Sequence, residues 1–241
     1  MSKVLVIGDA CTDIFIYGAC KRLCPDAPVP IFLPTSTHAN GGMAANVASN
    51  LRQLGTECDL LCSTEEIEKT RYVDQQTNHM FLRVDTGEEN VRQIEKVEKE
   101  LLAKYELIVI SDYNKGFLEE EDVAFICQNH SNVFLDTKKI LGPWSLSATF
   151  IKINEHEFNR TKHTVDNTDN MIITLGENGC QYQNERFPVE KVEVKDMSGA
   201  GDTFLAALVV NYLETADIRK AIVSANECAT KVVQRRGVSV I

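Results

Sequence analysis

Short apolar runs of strand length, each closed by glycine or a polar residue, recur along the chain. Residues 4–7 form the first and run into Gly8-Asp9, which predicts a buried strand. From Asp13 the pattern alternates through Ile14, Phe15, Ile16 and Tyr17, as in a strand with one exposed face. Pro25, Pro28, Pro30 and Pro34 punctuate residues 29–33; proline donates nothing to a ladder, so this stretch predicts an edge strand or extended segment. Residues 40–42 predict a glycine turn opening a small-residue helix that ends near Leu54-Gly55, and residues 57–62 return to strand. Residues 69–85 read as a hairpin turning at 76–78. In residues 89–104, Val91, Ile94, Val97 and Leu101 recur at helical spacing among charges and predict an amphipathic helix.

Beyond this point strands alternate with helices. Strands are predicted at 107–111, 133–136, 149–153 and 171–175, with helices after Glu119 and from Glu155. Such alternation predicts an α/β fold with a mostly parallel central sheet and helices on both faces. Asp112, Asp136, Asn154 and Thr174 stand at carboxyl ends of strands, where a sheet of this kind forms its ligand crevice. After Gly179 a short antiparallel stretch and two helices complete the chain. The strands before Gly41 and the 69–85 hairpin stand outside the alternation. They predict a small second sheet, a lid within about 13–35 and 69–85, on a single domain spanning 1–241.

Composition narrows the partners. A net charge of −10 argues against a nucleic-acid binder or a peripheral membrane protein, because both would meet a repelling surface. No apolar run approaches a membrane span and no signal-like apolar core follows Met1. The spacings Cys20/Cys24 and Cys58/Cys62 are not those of common zinc sites. The eight cysteines therefore read as reduced thiols of a cytoplasmic protein.

Residues 195–204 concentrate the chemistry, as a polar turn that runs into the apolar residues 205–210. Gly199 and Gly201 free the backbone to curl, and Ala200 between them obstructs nothing. The N–H groups of the first helical turn would face the curl and favour an anion there. Asp202 closes the turn. A carboxylate beside an anion nest suits a base that deprotonates a hydroxyl attacking a phosphate. The plainer reading is a loop-to-helix junction with an acidic first turn.

Asp196-x-x-Gly199-Ala200-Gly201-Asp202-Thr203-Phe204 is similar to the signature of the ribokinase-like (PfkB) carbohydrate kinases, and Gly41-Gly42-x-Ala44-x-Asn46 resembles their sugar-binding turn. Residues 24–30, 69–74, 82–85, 111–116 and 135–138 resemble the heptose-7-phosphate kinase branch, and the resemblance runs from Lys3 to about Gly237. It implies a ribokinase-like fold using ATP and Mg²⁺, with Asp202 as base and Gly199, Ala200 and Gly201 as the anion hole. It also implies that Asn154 and Glu157 help place Mg²⁺, and that Thr174, Gly176, Gly179 and Asn226 line the nucleotide side. Asp13, Gly41, Gly42 and Asn46 would hold the sugar, with Asp136 beside them. For a sugar that already carries a phosphate, Arg71, Lys115 and Lys138 are the expected cations. The implied partner is a small sugar or sugar phosphate, and the exposed edge at 29–33 admits a homodimer through the lid sheet.

Taken singly, these residues have simpler roles. Asn154 and Glu157 also read as a helix cap, Gly176 and Gly179 as a hairpin turn, and Asp13 as a turn residue. Lys69, Arg71 and Arg83 also read as solvated edge charges, and His156 as helix surface. The chain departs from the resemblance at residues 63–68 and 159–170, which are short, and at Met43, where the branch tends to have glycine. Two other readings remain at this point: a nucleoside or simple hexose kinase, and a catalytically silent nucleotide- or sugar-binding protein.

Overall fold

The computed structural model describes residues 3–235; Gly237, where the resemblance ends, lies outside the described residues. Six strands form the parallel body of the large sheet: β1 (Lys3–Gly8), β4 (Glu57–Leu61), β7 (Leu107–Asp112), β8 (Val133–Thr137), β9 (Phe150–Asn154) and β10 (Met171–Thr174). Two short strands, β11 (Cys180–Tyr182) and β12 (Glu185–Phe187), extend it antiparallel, giving the order β12-β11-β10-β9-β8-β7-β1-β4.

Period-two alternation on β1 explains the layers. Val4 and Val6 face a core shared with α1 (Ala44–Gln53), α5 (Ala200–Thr215) and α6 (Ile218–Val232). Leu5 and Ile7 face the opposite core, with α2 (Lys99–Leu102), α3 (Glu120–Asn129) and α4 (Glu155–Thr161). Both faces of the strands are therefore apolar, as a parallel sheet between helices requires. Residues 204–209 of α5 are all buried, and burying each of Phe204, Leu205, Leu208 and Val209 contributes about 1.5–3 kcal/mol.

The second sheet has the order β3-β2-β5-β6, from β2 (Ala10–Leu23), β3 (Pro30–Met43), β5 (Glu68–Asp74) and β6 (Met80–Thr86). The hairpin turns where its residues indicate: the Asp74 carboxylate accepts from the backbone N–H groups of Gln76 and Thr77 at 3.0 and 2.8 Å. Asp9 alone separates β1 from β2, and β3 passes directly into α1. The expected glycine turn at 40–42 is thus strand, still paired with β2 through Asn40, Gly41, Gly42 and Met43. Pairing to Asp13, Thr12, Cys11 and Ala10 satisfies the backbone that a free turn would leave to solvent.

The helix expected over 89–104 does not form as such. A 3-10 turn at Glu88–Asn90 leads into non-helical chain, and only Lys99–Leu102 is α-helical. Val91, Ile94 and Val97 still pack against the second core, and the Ile94 amide donates to the Phe117 carbonyl at 2.8 Å. The apolar anchors are spaced for a helix, but pairing with a neighbouring segment satisfies the same burial. Asp112 is corrected as well. It is fully buried, bonded to Thr137 Oγ1 at 2.5 Å and to Lys139 Nζ at 3.0 Å, so it ties β7 to β8 and lines no crevice.

Candidate active site

Gly199 caps α5 with φ 80°, a left-handed backbone that glycine adopts without steric cost. That bend aims the first turn of α5 at the carboxyl ends of the parallel strands and carries Asp202 with it. The Asp202 carboxylate is 5% exposed. Its Oδ2 accepts from Asn46 Nδ2 on α1, and its Oδ1 from the Tyr113 hydroxyl in the loop after β7, both at 2.8 Å. Burial pushes its pKa up to about 6, although the Asn46 and Tyr113 donors pull the other way.

Residues 199–202 stand between two cavities. One, of about 410 Å³, lies under the lid and is lined by Asp13, Asn46, Lys69, Arg71, Arg83, Tyr113, Lys115, Lys138, Gly199 and Asp202, among others. The other, of about 420 Å³, is mostly apolar and is lined by Thr174, Gly176, Gly179, Val194, Ala200, Gly201, Phe204 and Asn226, among others.

The lid strands present their cations inward by register. Asp13 pairs with Lys69 and Lys69 with Asp85; Phe15 pairs with Arg71 and Arg71 with Arg83, so these six share one face. Lys69 is 5% exposed and the Arg71 side chain 12%, which removes the solvated-edge reading for both. Each cation is also paired with a carboxylate, and some carboxylates serve two. Arg71 contacts Asp13, Arg83 grips Asp85 through two bonds of 2.7 Å, and Glu88 bridges Lys69 and Lys115.

The chain matches the model of the pfkB family carbohydrate kinases over residues 64–240. The chain belongs to that family. It is 30% identical to the bifunctional protein HldE of Helicobacter acinonychis and 28% identical to that of Nitratiruptor, each over 98% of its own length. It spans only 64% and 62% of those relatives. The alignments run over 298 and 289 positions, more than the 241 residues of the chain, which places gaps inside it. The ribokinase of Thermotoga maritima superposes with a TM-score of 0.72 at 16% identity, covering 99% of this chain and 95% of that one. An Arabidopsis thaliana ribokinase, solved with ribose and ATP, gives 0.68 at 14% identity over 98% of this chain and 94% of that one. The fold is therefore ribokinase-like.

In this family member several expected site residues stand outside the cavity walls. Gly42 is buried with no room for a side chain: a Cβ would come within 2.4 Å of Asp13 Oδ2 and 2.5 Å of Cys11 Sγ. Gly41 belongs to the same strand end, outside the cavity lining. Asp136 is 2% exposed and held by Lys152 at 2.7 Å and Lys138 at 3.5 Å, which outweigh burial and lower its pKa. Asn154 and Glu157 form the capping box of α4: the Glu157 amide donates to Asn154 Oδ1 at 2.8 Å, and the Asn154 amide to Glu157 Oε2 at 2.9 Å. Glu157 Oε1 accepts from Lys138 at 2.6 Å. Asn226 donates to the Phe187 carbonyl at 3.0 Å while lining the apolar cavity.

Three contributors escape the sequence argument. Lys152 sits inside β9, where a lysine reads as an interruption, yet a Cβ on Gly201 would come within 3.0 Å of its Nζ. Tyr113 looks like an ordinary loop aromatic. Asp9 looks like a turn residue but is 1% exposed, and it accepts from the amides of Tyr113, Lys115 and Phe117. Gly42→Ala should lower stability by about 1–3 kcal/mol in urea unfolding, the usual cost of overpacking. Adding Asp13→Ala to that variant should recover part of the loss.

Proposed function

We propose that the protein transfers the γ-phosphate of ATP to a hydroxyl of a sugar phosphate resembling heptose 7-phosphate. The observation that carries this is the position of residues 199–202: Gly199 and Asp202 line the cationic cavity, and Ala200 and Gly201 line the apolar one. An acceptor under the lid and a nucleotide beside α6 would meet at that turn. The apolar walls suit the base of a nucleotide, and the Arabidopsis ribokinase, which shares the fold, was solved with ATP.

In this reading Asp202 takes the proton of the acceptor hydroxyl as that oxygen attacks the γ-phosphorus. The amides of the first turn of α5, with Lys152 beneath Gly201, meet the charge on the phosphoryl group in transit. Asn154 Oδ1 and both Glu157 carboxylate oxygens, the hard donors expected to help place Mg²⁺, each already accept a bond within the capping box or from Lys138, and neither residue lines the two cavities. A Mg²⁺ ion between the cavities would therefore draw most of its ligands from waters and phosphate oxygens. When bound, the ion would neutralise charge on the β- and γ-phosphates. The free thiols and ATP dependence suit a cytoplasmic enzyme.

A second reading, a kinase for a neutral sugar or nucleoside, is favoured by one observation: the cavity's cations are already paired with carboxylates. The phosphorylated acceptor is preferred because Lys69, Arg71, Arg83, Lys115 and Lys138 converge from the lid and two loops on one cavity. The outer lid face carries Tyr72, Leu82 and Val84 in register, with Met80 and Phe81 also exposed. We propose that a second copy covers it.

In a coupled ADP-release assay, Asp202→Asn should cut kcat by about 100-fold or more. The base works as the carboxylate, so wild-type kcat/KM should fall as pH drops through about 6. Activity of the asparagine variant equal to wild type would remove the assignment. Across matched sugars and sugar phosphates, Arg71→Met and Lys138→Met should raise KM about tenfold or more for the phosphorylated member alone. Equal losses on both would favour the neutral acceptor. Light scattering should give twice the chain mass, and Leu82→Glu should return it to the monomer.

A further inference from the structure

The two bonds to Asp202 come from surroundings of unequal kind. On the Oδ2 side, Asn46 is 1% exposed and its amide oxygen accepts from Asn50 Nδ2 at 3.2 Å. Thr203 Oγ1 in turn donates to Asn50 Oδ1 at 3.2 Å, so Asn46, which also lines the cavity under the lid, is tied into the interface of α1 and α5. On the Oδ1 side stands the Tyr113 hydroxyl, which with Asp202 lines the cavity under the lid.

We propose that Tyr113 is a positioning residue: its hydroxyl fixes the orientation of the Asp202 carboxylate toward the acceptor whose proton that carboxylate receives. The inference rests on the sugar-kinase reading above. The acceptor O–H bond breaks as its proton passes to the Asp202 carboxylate. The acceptor oxygen then forms a bond to the γ-phosphorus, and the bond from that phosphorus to the bridging oxygen breaks, leaving ADP. Tyr113 keeps its own proton throughout; an ionised carboxylate oxygen has lone pairs for both donors.

The ring is held for such a task. The amides of Tyr113 and Lys115 donate to Asp9 Oδ2 at 2.8 and 3.1 Å, which anchors the loop to the end of β1. From the other side the Lys138 ammonium lies 5.2 Å from the ring centroid. Removal of the hydroxyl alone therefore leaves backbone and ring in place.

The groups that bear on the Asp202 charge come from every neighbouring element. Asp136 on β8 and Lys152 on β9 act from below, and Lys138 from the loop after β8. Cys11 acts from the lid, its thiol pushed up to about 12 by burial and then by Asp13, so it stays protonated. Lys69 and Arg71 line the same cavity from the lid strands, paired with Glu88 and Asp13. None of these partners is changed by Tyr113→Phe.

The test is Tyr113→Phe in the full chain, with two readouts. The ¹³C carboxyl titration of Asp202, assigned by the signal missing in Asp202→Asn, needs no substrate. It should move to higher pH in the phenylalanine variant, because a donor to the carboxylate is lost. With the best acceptor, kcat should fall about tenfold while KM for ATP stays unchanged. A melting temperature near that of wild type separates this from loss of fold. An unmoved titration overturns the proposal, and so does a moved titration with unchanged kcat. Should wild type phosphorylate no sugar or sugar phosphate, the kinase reading fails on its own, and the titration still decides whether Tyr113 holds Asp202.

Discussion

A carboxylate taken out of water and kept in one orientation is the constraint that organises this molecule. Asp202 is buried, and its two oxygens are bonded to residues on two other elements. An ionised group in such a place is costly unless donors replace the lost solvent. Those donors require α1 to lie against α5, and the loop after β7 to reach over the end of β1. The close packing of α1 on α5, the Asp9 anchor and the left-handed start of α5 are thus parts of one arrangement.

Much of the frame was legible in the residues. Apolar runs of four or five, interrupted by helical stretches, mark the parallel strands β7 to β10, because both faces of such strands are buried. The Gly199–Asp202 turn was readable for a different reason. Left-handed backbone, small side chains and an acid at a helix start form a pattern that few other local structures need. The lid was readable as strands, with bounds wider than the punctuation by proline suggests. Pro30 and Pro34 sit in β3 at the sheet edge, where a missing N–H costs no ladder bond.

What stayed hidden depends on contacts distant in sequence. The helical spacing of Val91, Ile94 and Val97 was real, but the Phe117 carbonyl gave the backbone another partner. Lys152 and Asp136 read as a strand lysine and a strand-end acid, and only the β8–β9 register makes them an ion pair beneath Gly201. The same holds for Tyr113, whose partner is 89 positions away in sequence. Polar residues that bond across elements carry no periodicity of their own, so no local pattern announces them.

Three of the four passages between the two sheets hold the lid by short tethers, and only the fourth, residues 87–106, is long. One residue joins β1 to β2, none separates β3 from α1, and residues 62–67 carry β4 to β5. A lid tethered so tightly has little freedom to lose. In the proposed reaction, the cationic cavity and Asp202 beneath it would be ordered before an acceptor arrives, the entropy of assembling them having been settled when the chain folded. Binding energy gained from the acceptor would then be left to act on the reacting oxygen.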